Sequence, residues 1–387
     1  MAATRVPVSR DIFGWAADRS GRTRDELERK FPQLDAWENG DRQPTFRQLE
    51  DFARATFTPF GAFFLAEPPV EKVPIPDFRT VANQEIVEPS PDLLDTIFIC
   101  ERRQEWYRQY ALSIGAEPLS FIGNCTLESS IEEAADEIRN TLQFTADDRV
   151  QDRTWDEARR RLIDSAEDAG ILVMVSGIVA SNTSRPLDPE EFRGFVLSDS
   201  LAPLIFINAA DTKAAQIFTI VHEVCHLWLG QSAVPAASMD IQETGSNPVE
   251  IWCNQVAAEV LISMEDIQSD FRGTTESEEL DLLAKKYKVS TLVVLKRIFD
   301  AGLLEWHEFR NRYTEEHKRV IVLARERQKN SGGNYYNVQP LRVSRRFAKA
   351  LIDDTLRGRT LHRDAFRLLG TKKHDTFVEL GHAVGVV

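Results

Sequence analysis

Residues 219–230 hold a short polar motif, His222-Glu223-Val224-Cys225-His226, inside an otherwise apolar run. On a helix, residues four apart lie about 40° apart around the axis, so both imidazoles leave on one face. Two neutral imidazoles there can bind Zn²⁺, with Mn²⁺ as a substitute, and Glu223 lies one residue round from His222. The chemistry this permits is hydrolysis. The ion acidifies a water towards a pKa of about 7 and polarises a carbonyl, while Glu223 takes the proton as general base. Burying two imidazoles and a carboxylate in an apolar helix is costly unless something pairs with them, and a metal is the simplest partner.

A hydrolytic site of this kind wants a third protein ligand and one open position. The metzincin pattern would put Gly at 229 and His at 232, where this chain has Leu229 and Ser232. The remaining histidines (His307, His317, His362, His374, His382) all lie late in the chain. A carboxylate on a neighbouring helix is therefore the better candidate. Glu250 opens an apolar helix expected over 249–262, and Asn254, four residues on, shares its face as a donor that could hold the carboxylate. Glu259 is the alternative, although nine residues from Glu250 is 2.5 turns and points it to the opposite face. A plainer account of Glu250 also stands: a carboxylate near a helix N-terminus is stabilised by the helix dipole. Asn254, His307, Tyr335 and Tyr336 are candidates to stabilise an oxyanion. Cys225 and Cys253 read as small packing residues.

These groups need a scaffold. Residues 171–175, 195–197 and 204–207 read as short buried strands, and Asp211 or Thr212 can cap the motif helix that follows. The strand at 203–207, if at a sheet edge, could pair with an extended substrate. Upstream, helices are expected at 91–115, at about 130–143 with Ser130 and Glu133 as a capping box, and from Thr154 with Glu157 to Ala169-Gly170. Downstream, helices are expected at 263–271, 277–287, 290–301 and 305–330. A Ser331-Gly332-Gly333-Asn334 break then leads into about three short helices.

The totals agree with a multidomain soluble chain. Its 387 residues are 42% hydrophobic and 28% charged, too long for one ordinary domain. No apolar run approaches the roughly 18 residues that cross a bilayer, and residues 1–9 lack a signal-peptide core. The four cysteines lack Cys-x-x-Cys pairing, which suggests a reducing, cytoplasmic setting. Of the net charge of −14, residues 318–387 contribute +9 and residues 1–317 contribute −23. Acidic bulk argues against nonspecific nucleic-acid binding by the whole molecule. The basic tail, with helix-turn-helix-like spacing and Arg345, Arg346, Arg357, Arg359, Arg363, Arg367, Lys372 and Lys373, is expected to dock on the chain's own acidic body or on a protein, in preference to DNA.

Residues 9–66 read as several short helices, with Ser9, Thr23 (boxed with Glu26) and Thr45 at helix starts. The segment Trp37-Glu38-Asn39-Gly40 followed by Pro44-Thr45 resembles the helix-turn-helix of Xre-type repressors. Its recognition helix would carry Gln33, Asp35 and Glu38 but no Lys or Arg, so direct DNA binding there is disfavoured. Pro68-Pro69 and Pro74-Ile75-Pro76 mark a stiff linker.

His222-Glu223-Val224-Cys225-His226 with Glu250-Ile251-Trp252-Cys253-Asn254-Gln255-Val256-Ala257-Ala258 resembles the paired signatures of the ImmA/IrrE metallopeptidases. Residues 203–208 and 211–216 share the likeness, which with the Xre-like module covers roughly 9–330. The ending Val260-Leu261-Ile262-Ser263 departs from the Leu-Met-Pro often found in that family. The resemblance implies His222, His226 and Glu250 as zinc ligands, Glu223 as base, and a DNA-binding repressor as protein substrate, in a stress-type transcriptional response. The expectation is an α+β, predominantly α fold, with a zincin-like core and a small β-sheet flanked by helical modules. The modules are 1–66 (Xre-like), 67–330 (metallopeptidase) and 331–387 (basic, helical). The alternative is a transcription regulator or antitoxin-like binding protein whose zinc site is structural or idle.

Overall fold

A computed structural model describes residues 4–77, 89–235, 247–328 and 335–387. The expected break at 331–334 and most of the loop before Pro248 lie outside the described residues, as do the side chains of Tyr335 and Tyr336. The fold is α+β and predominantly helical, with one three-stranded sheet among the described residues. Two compact units are present, Met1–Pro74 with Val87–Asp95, and Ile75–Ile86 with Thr96–Val387. No helix among the described residues is long and apolar enough to cross a membrane.

The first unit packs α1 (Arg10–Arg19), α2 (Arg24–Lys30), α3 (Leu34–Glu38) and α4 (Phe46–Ala55) with a 3-10 turn at Phe60–Phe64. Its core is aromatic: Phe52 meets Phe31 and Trp37 edge to face at 5.2 and 5.9 Å. Reciprocal capping boxes, Thr23 with Glu26 and Thr45 with Gln48, start α2 and α4. Ser9 stands at the N-cap of α1 but its side chain makes no capping bond. On α3, where the Xre-like reading puts the recognition helix, Asp35 and Glu38 both pair with Arg24. α3 is only five residues long and offers carboxylates already engaged within the unit.

α5 (Pro91–Ser113), which belongs to the second unit from Thr96 on, is followed there by α6 (Ile131–Leu142), α7 (Ala146–Val150) and α8 (Trp155–Asp168). The five-residue α7 was not foreseen, although Thr145 and Asp148 box its start. The Ser130 and Thr154 hydroxyls accept from Glu133 and Glu157 amides, the forward half of each expected box. The sheet follows: β1 (Leu172–Ser176), β2 (Gly194–Leu197) and β3 (Leu204–Asn208), in the order β1-β3-β2. β3 runs parallel to β1 and antiparallel to β2. This corrects the expectation of an edge strand at 203–207. β3 is central and both its edges are paired, as its continuous apolar run, buried on both faces, requires. The outer strand β2 is itself partly paired, because Val196 exchanges both backbone bonds with Ala233 at 3.0 and 3.1 Å.

β3 leads directly into α9 (Lys213–Trp228), capped by the Thr212 hydroxyl on the Ala215 amide, and then comes α10 (Pro248–Leu261). α9 is buried on every side from Gln216 to Trp228, so its last carbonyls cannot be left to water. Gly123 and Cys125 donate to Leu227 and Trp228, and Phe121 stacks on Trp228 at 4.5 Å. The chain turns away at Gly230, whose φ of 67° suits glycine and whose added Cβ would lie 3.0 Å from Gly123 Cα.

α11 (Met264–Asp270), α12 (Ser277–Tyr287), α13 (Thr291–Asp300) and α14 (Trp306–Gln328) complete the helical shell within a residue or two of expectation. The C-terminal part holds four helices where about three were expected: α15 (Tyr335–Val343), α16 (Arg345–Leu356), α17 (His362–Leu369) and α18 (His374–Ala383). The fourth, α15, contains Pro340, a residue that usually ends a helix. This part docks onto its own unit. Arg346 donates to Glu167 O and the Tyr107 hydroxyl, Arg103 donates to Leu368 O, and Ser344 donates to the Glu167 carboxylate.

Burial lifts the Glu167 carboxyl to about 7, against the opposing hydrogen bonds from Ser344 and the backbone of Arg346 and Arg345. Between an ordinary value of 4.5 and about 7 the folded chain therefore holds a proton that the unfolded chain has lost. Stability falls as pH rises through that window and levels off above it, by on the order of 3 kcal/mol in total. Urea titrations from pH 4 to 8 should show Glu167→Gln losing this decline relative to wild type. Parallel curves for the two proteins would contradict the assignment.

Candidate metal centre

α9 and α10 bring three of the foreseen residues together. His222 Nε2 lies 3.2 Å from His226 Nε2 and 3.3 Å from Glu250 Oε2, and His226 Nε2 lies 3.1 Å from Glu250 Oε1. Among the described residues this is the one group of three His, Cys, Asp or Glu side chains placed to hold a metal ion. Ligand atoms at about 2.0–2.1 Å from a tetrahedral ion stand about 3.3 Å apart, and the observed separations are of that length. The two imidazoles share a face because they are four residues apart on α9. Glu250 reaches them because it lies in the first turn of α10, which packs along α9 and is capped by Asn247.

All three are buried, with exposures of 5%, 0% and 8%, and Glu223 is fully buried beside them. Among the described residues, neither carboxylate oxygen of Glu223 has a hydrogen-bond partner, nor has His222 Nδ1. Buried polar atoms left without partners mark a place where something else belongs. Burial pushes the Glu223 carboxyl well above its ordinary value, and the nearby Glu250 charge adds to the rise. Burial likewise lowers His226, favouring the neutral imidazole that a metal requires. For Glu250 burial acts upward, but the hydrogen bonds from His222 and His226 outweigh it and hold the carboxyl far below the usual range. The donor set of two imidazoles and one carboxylate suits a divalent ion with one position left open.

Glu259 belongs elsewhere. It points away from the cluster and pairs with Arg297 and Arg139, as the 2.5-turn offset required. Those two guanidiniums also take the carbonyls at the end of α10: Arg297 donates to Ile262 O at 2.7 Å, and Arg139 to Glu259 O and to Val260 O. Asn254 is half-buried and, among the described residues, makes no side-chain hydrogen bond to the three. His307 is exposed on α14. Cys225 and Cys253 are buried free thiols whose titration burial pushes well up, and the Cys225 thiol meets Val221 O. Both pack in the core, as the sequence suggested.

One residue of the site was not foreseen. Gly194 opens β2 so close to α9 that an added Cβ would lie 2.9 Å from Glu223 Oε1, 2.7 Å from Thr219 and 2.8 Å from Phe206 O. The strand can pass Glu223 only without a side chain there. The available hint was a glycine at the head of an apolar strand, which often marks close backbone approach.

A metal held by His222, His226 and Glu250 binds the folded chain alone. Zn²⁺ at a hundredfold excess over its dissociation constant should add about 2.7 kcal/mol to stability, and a chelator should reverse the gain. His226→Ala should abolish the shift in urea or thermal unfolding. An equal shift in the variant would put the ion elsewhere.

Residues 343–383 match a family model described as a domain of unknown function, DUF8813. No curated protein matches the chain. Residues 166–299, which contain the sheet, α9 and α10, match a peptidase family model described as IrrE N-terminal-like domain, a match that implies a zincin-like core in this part of the chain.

Proposed function

We propose that this chain is a zinc-dependent endopeptidase with His222, His226 and Glu250 as metal ligands and Glu223 as general base. The observation that carries the reading is a close set of three buried metal-ligating side chains beside a buried carboxylate that has no hydrogen-bond partner among the described residues. When bound, Zn²⁺ supplies Lewis acidity towards a water and towards a peptide carbonyl. Glu223, on the same helix as both imidazoles, takes the proton from the water and returns it to the leaving amine. Burial and the Glu250 charge push the Glu223 carboxyl up, and a cation held by the three ligands would act in the opposite direction. Gly194 keeps the space beside the Glu223 carboxylate open. The donor set supports catalysis over a structural role, because structural zinc sites are usually closed and rich in Cys.

The substrate class rests on the resemblance to the ImmA/IrrE peptidases: a regulatory protein such as an Xre-type repressor. The full chain, loaded with Zn²⁺ or Mn²⁺, should cleave the repressor encoded beside its gene, and a chelator should stop it. Glu223→Gln should keep stoichiometric metal while losing at least about a hundredfold in rate. Undiminished cleavage by that variant would remove Glu223 from the mechanism. Operator binding by the metal-loaded chain without cleavage would favour a regulator.

A further inference from the structure

The C-terminal helices carry more positive charge than their docking consumes. Arg346 is engaged by Glu167 O and Tyr107, Arg357 by Asp353 and Arg359 by Asp354. Arg345 reaches Ala383 O. Four cations remain around α17. Arg363 is 85% exposed with only a 3.5 Å contact to its neighbour Asp364, a pair worth little in water. Arg367, Lys372 and Lys373 are exposed and have no carboxylate partner among the described residues.

These four do not scatter. Arg363 and Arg367 are four residues apart on α17, on the face opposite its buried Ala365 and Leu369. The start of α18 folds back against the start of α17, where His362 and His374 stack with centroids 6.1 Å apart and His362 lies 5.6 Å from Phe377. Lys372 and Lys373 lie in the turn just before His374, and Arg363 directly follows His362, so the His362–His374 stack joins the two basic segments. Asp364 sits at the flank of the exposed arc, and Asp375 and Glu379 are on α18. From behind, Arg103 and Gln339 hold the last carbonyls of α17, Leu368 O and Leu369 O. α16 and α17 are joined by a turn through Gly358, a helix-turn-helix layout with the second helix presented to solvent.

We propose that α17 and the turn into α18 form a docking surface for the phosphate backbone of duplex DNA. Charge complementarity names the partner. Duplex DNA carries about one negative charge per 1.7 Å of axis, and exposed Arg and Lys with little carboxylate engagement complement that charge. The centres of protein–protein interfaces are instead depleted in Lys. A single helix held from behind fits the major groove of B-form DNA, about 12 Å wide, and does not fit the narrow one of double-stranded RNA. In the N-terminal module the corresponding helix, α3, is acidic, so the structure moves DNA contact from the Xre-like end to the basic end. This inference is independent of the peptidase reading.

The test uses the full chain and a labelled, mixed-sequence duplex of about 30 base pairs, followed by fluorescence anisotropy from about 50 mM salt upward. Arg363→Gln with Lys373→Gln should weaken binding roughly tenfold or more and reduce the slope of log K on log salt by about 2. Both changes are on exposed side chains, and circular dichroism melting checks that the fold is kept. Arg29→Gln with Arg47→Gln, exposed in the N-terminal module, should bind like wild type. The proposal is overturned by wild-type chain that shows no salt-sensitive binding, by a C-terminal double variant that binds unchanged, or by a loss confined to the N-terminal variant. Capture of polyglutamate but not duplex would overturn it in favour of an acidic protein partner.

Discussion

Four ionisable side chains, His222, Glu223, His226 and Glu250, are taken out of water together in an otherwise apolar pair of helices, and much of the second unit is shaped by the need to keep them there. Isolated, such groups cost several kcal/mol each. Together they lower the cost by holding one another in complementary states: neutral imidazole, ionised Glu250, and a Glu223 carboxyl that burial holds towards its protonated form. A divalent ion would take both imidazoles and the Glu250 carboxylate as ligands at once. The apolar residues around them serve the same end, because α9 is enclosed from Gln216 to Trp228 and admits little water to relax the cluster.

Relative position is then the demanding requirement, because the ligands come from two helices. α9 is held at both ends, by Thr212 at its start and by residues 123–125 at its finish. α10 is capped by Asn247 where Glu250 emerges and gripped at the other end by Arg139 and Arg297. Glu259 belongs to that grip. Two carboxylates on one helix thus have separate tasks, one facing the imidazoles and one facing the guanidiniums. Removing one partner from a buried ion pair is costly, so α10 resists sliding.

What was legible in the chain follows from how local each signal is. The pair His222 and His226, the facing of Glu250 and the opposite facing of Glu259 are consequences of helical period, and all appear in the structure. The long helices and their Thr or Ser starts were legible for the same reason. Strand order was not, because it depends on which segments meet across the fold. Residues 203–207 could be seen to be a strand, but their continuous apolar run should have argued for the centre of the sheet and not its edge. Gly194 was hidden because its role is defined by Glu223, which is near it only in three dimensions. Asn254 was named from face-sharing alone, which places a side chain on the correct side without giving it a bond.

The central claim is that two imidazoles and one carboxylate hold an ion with a position left open. X-ray absorption at the zinc edge of the metal-loaded chain tests it most directly. The account predicts a shell of nitrogen and oxygen at about 2.0–2.1 Å with the scattering pattern of two imidazoles. A sulfur neighbour at about 2.3 Å, bringing in Cys225 or Cys253, would contradict it.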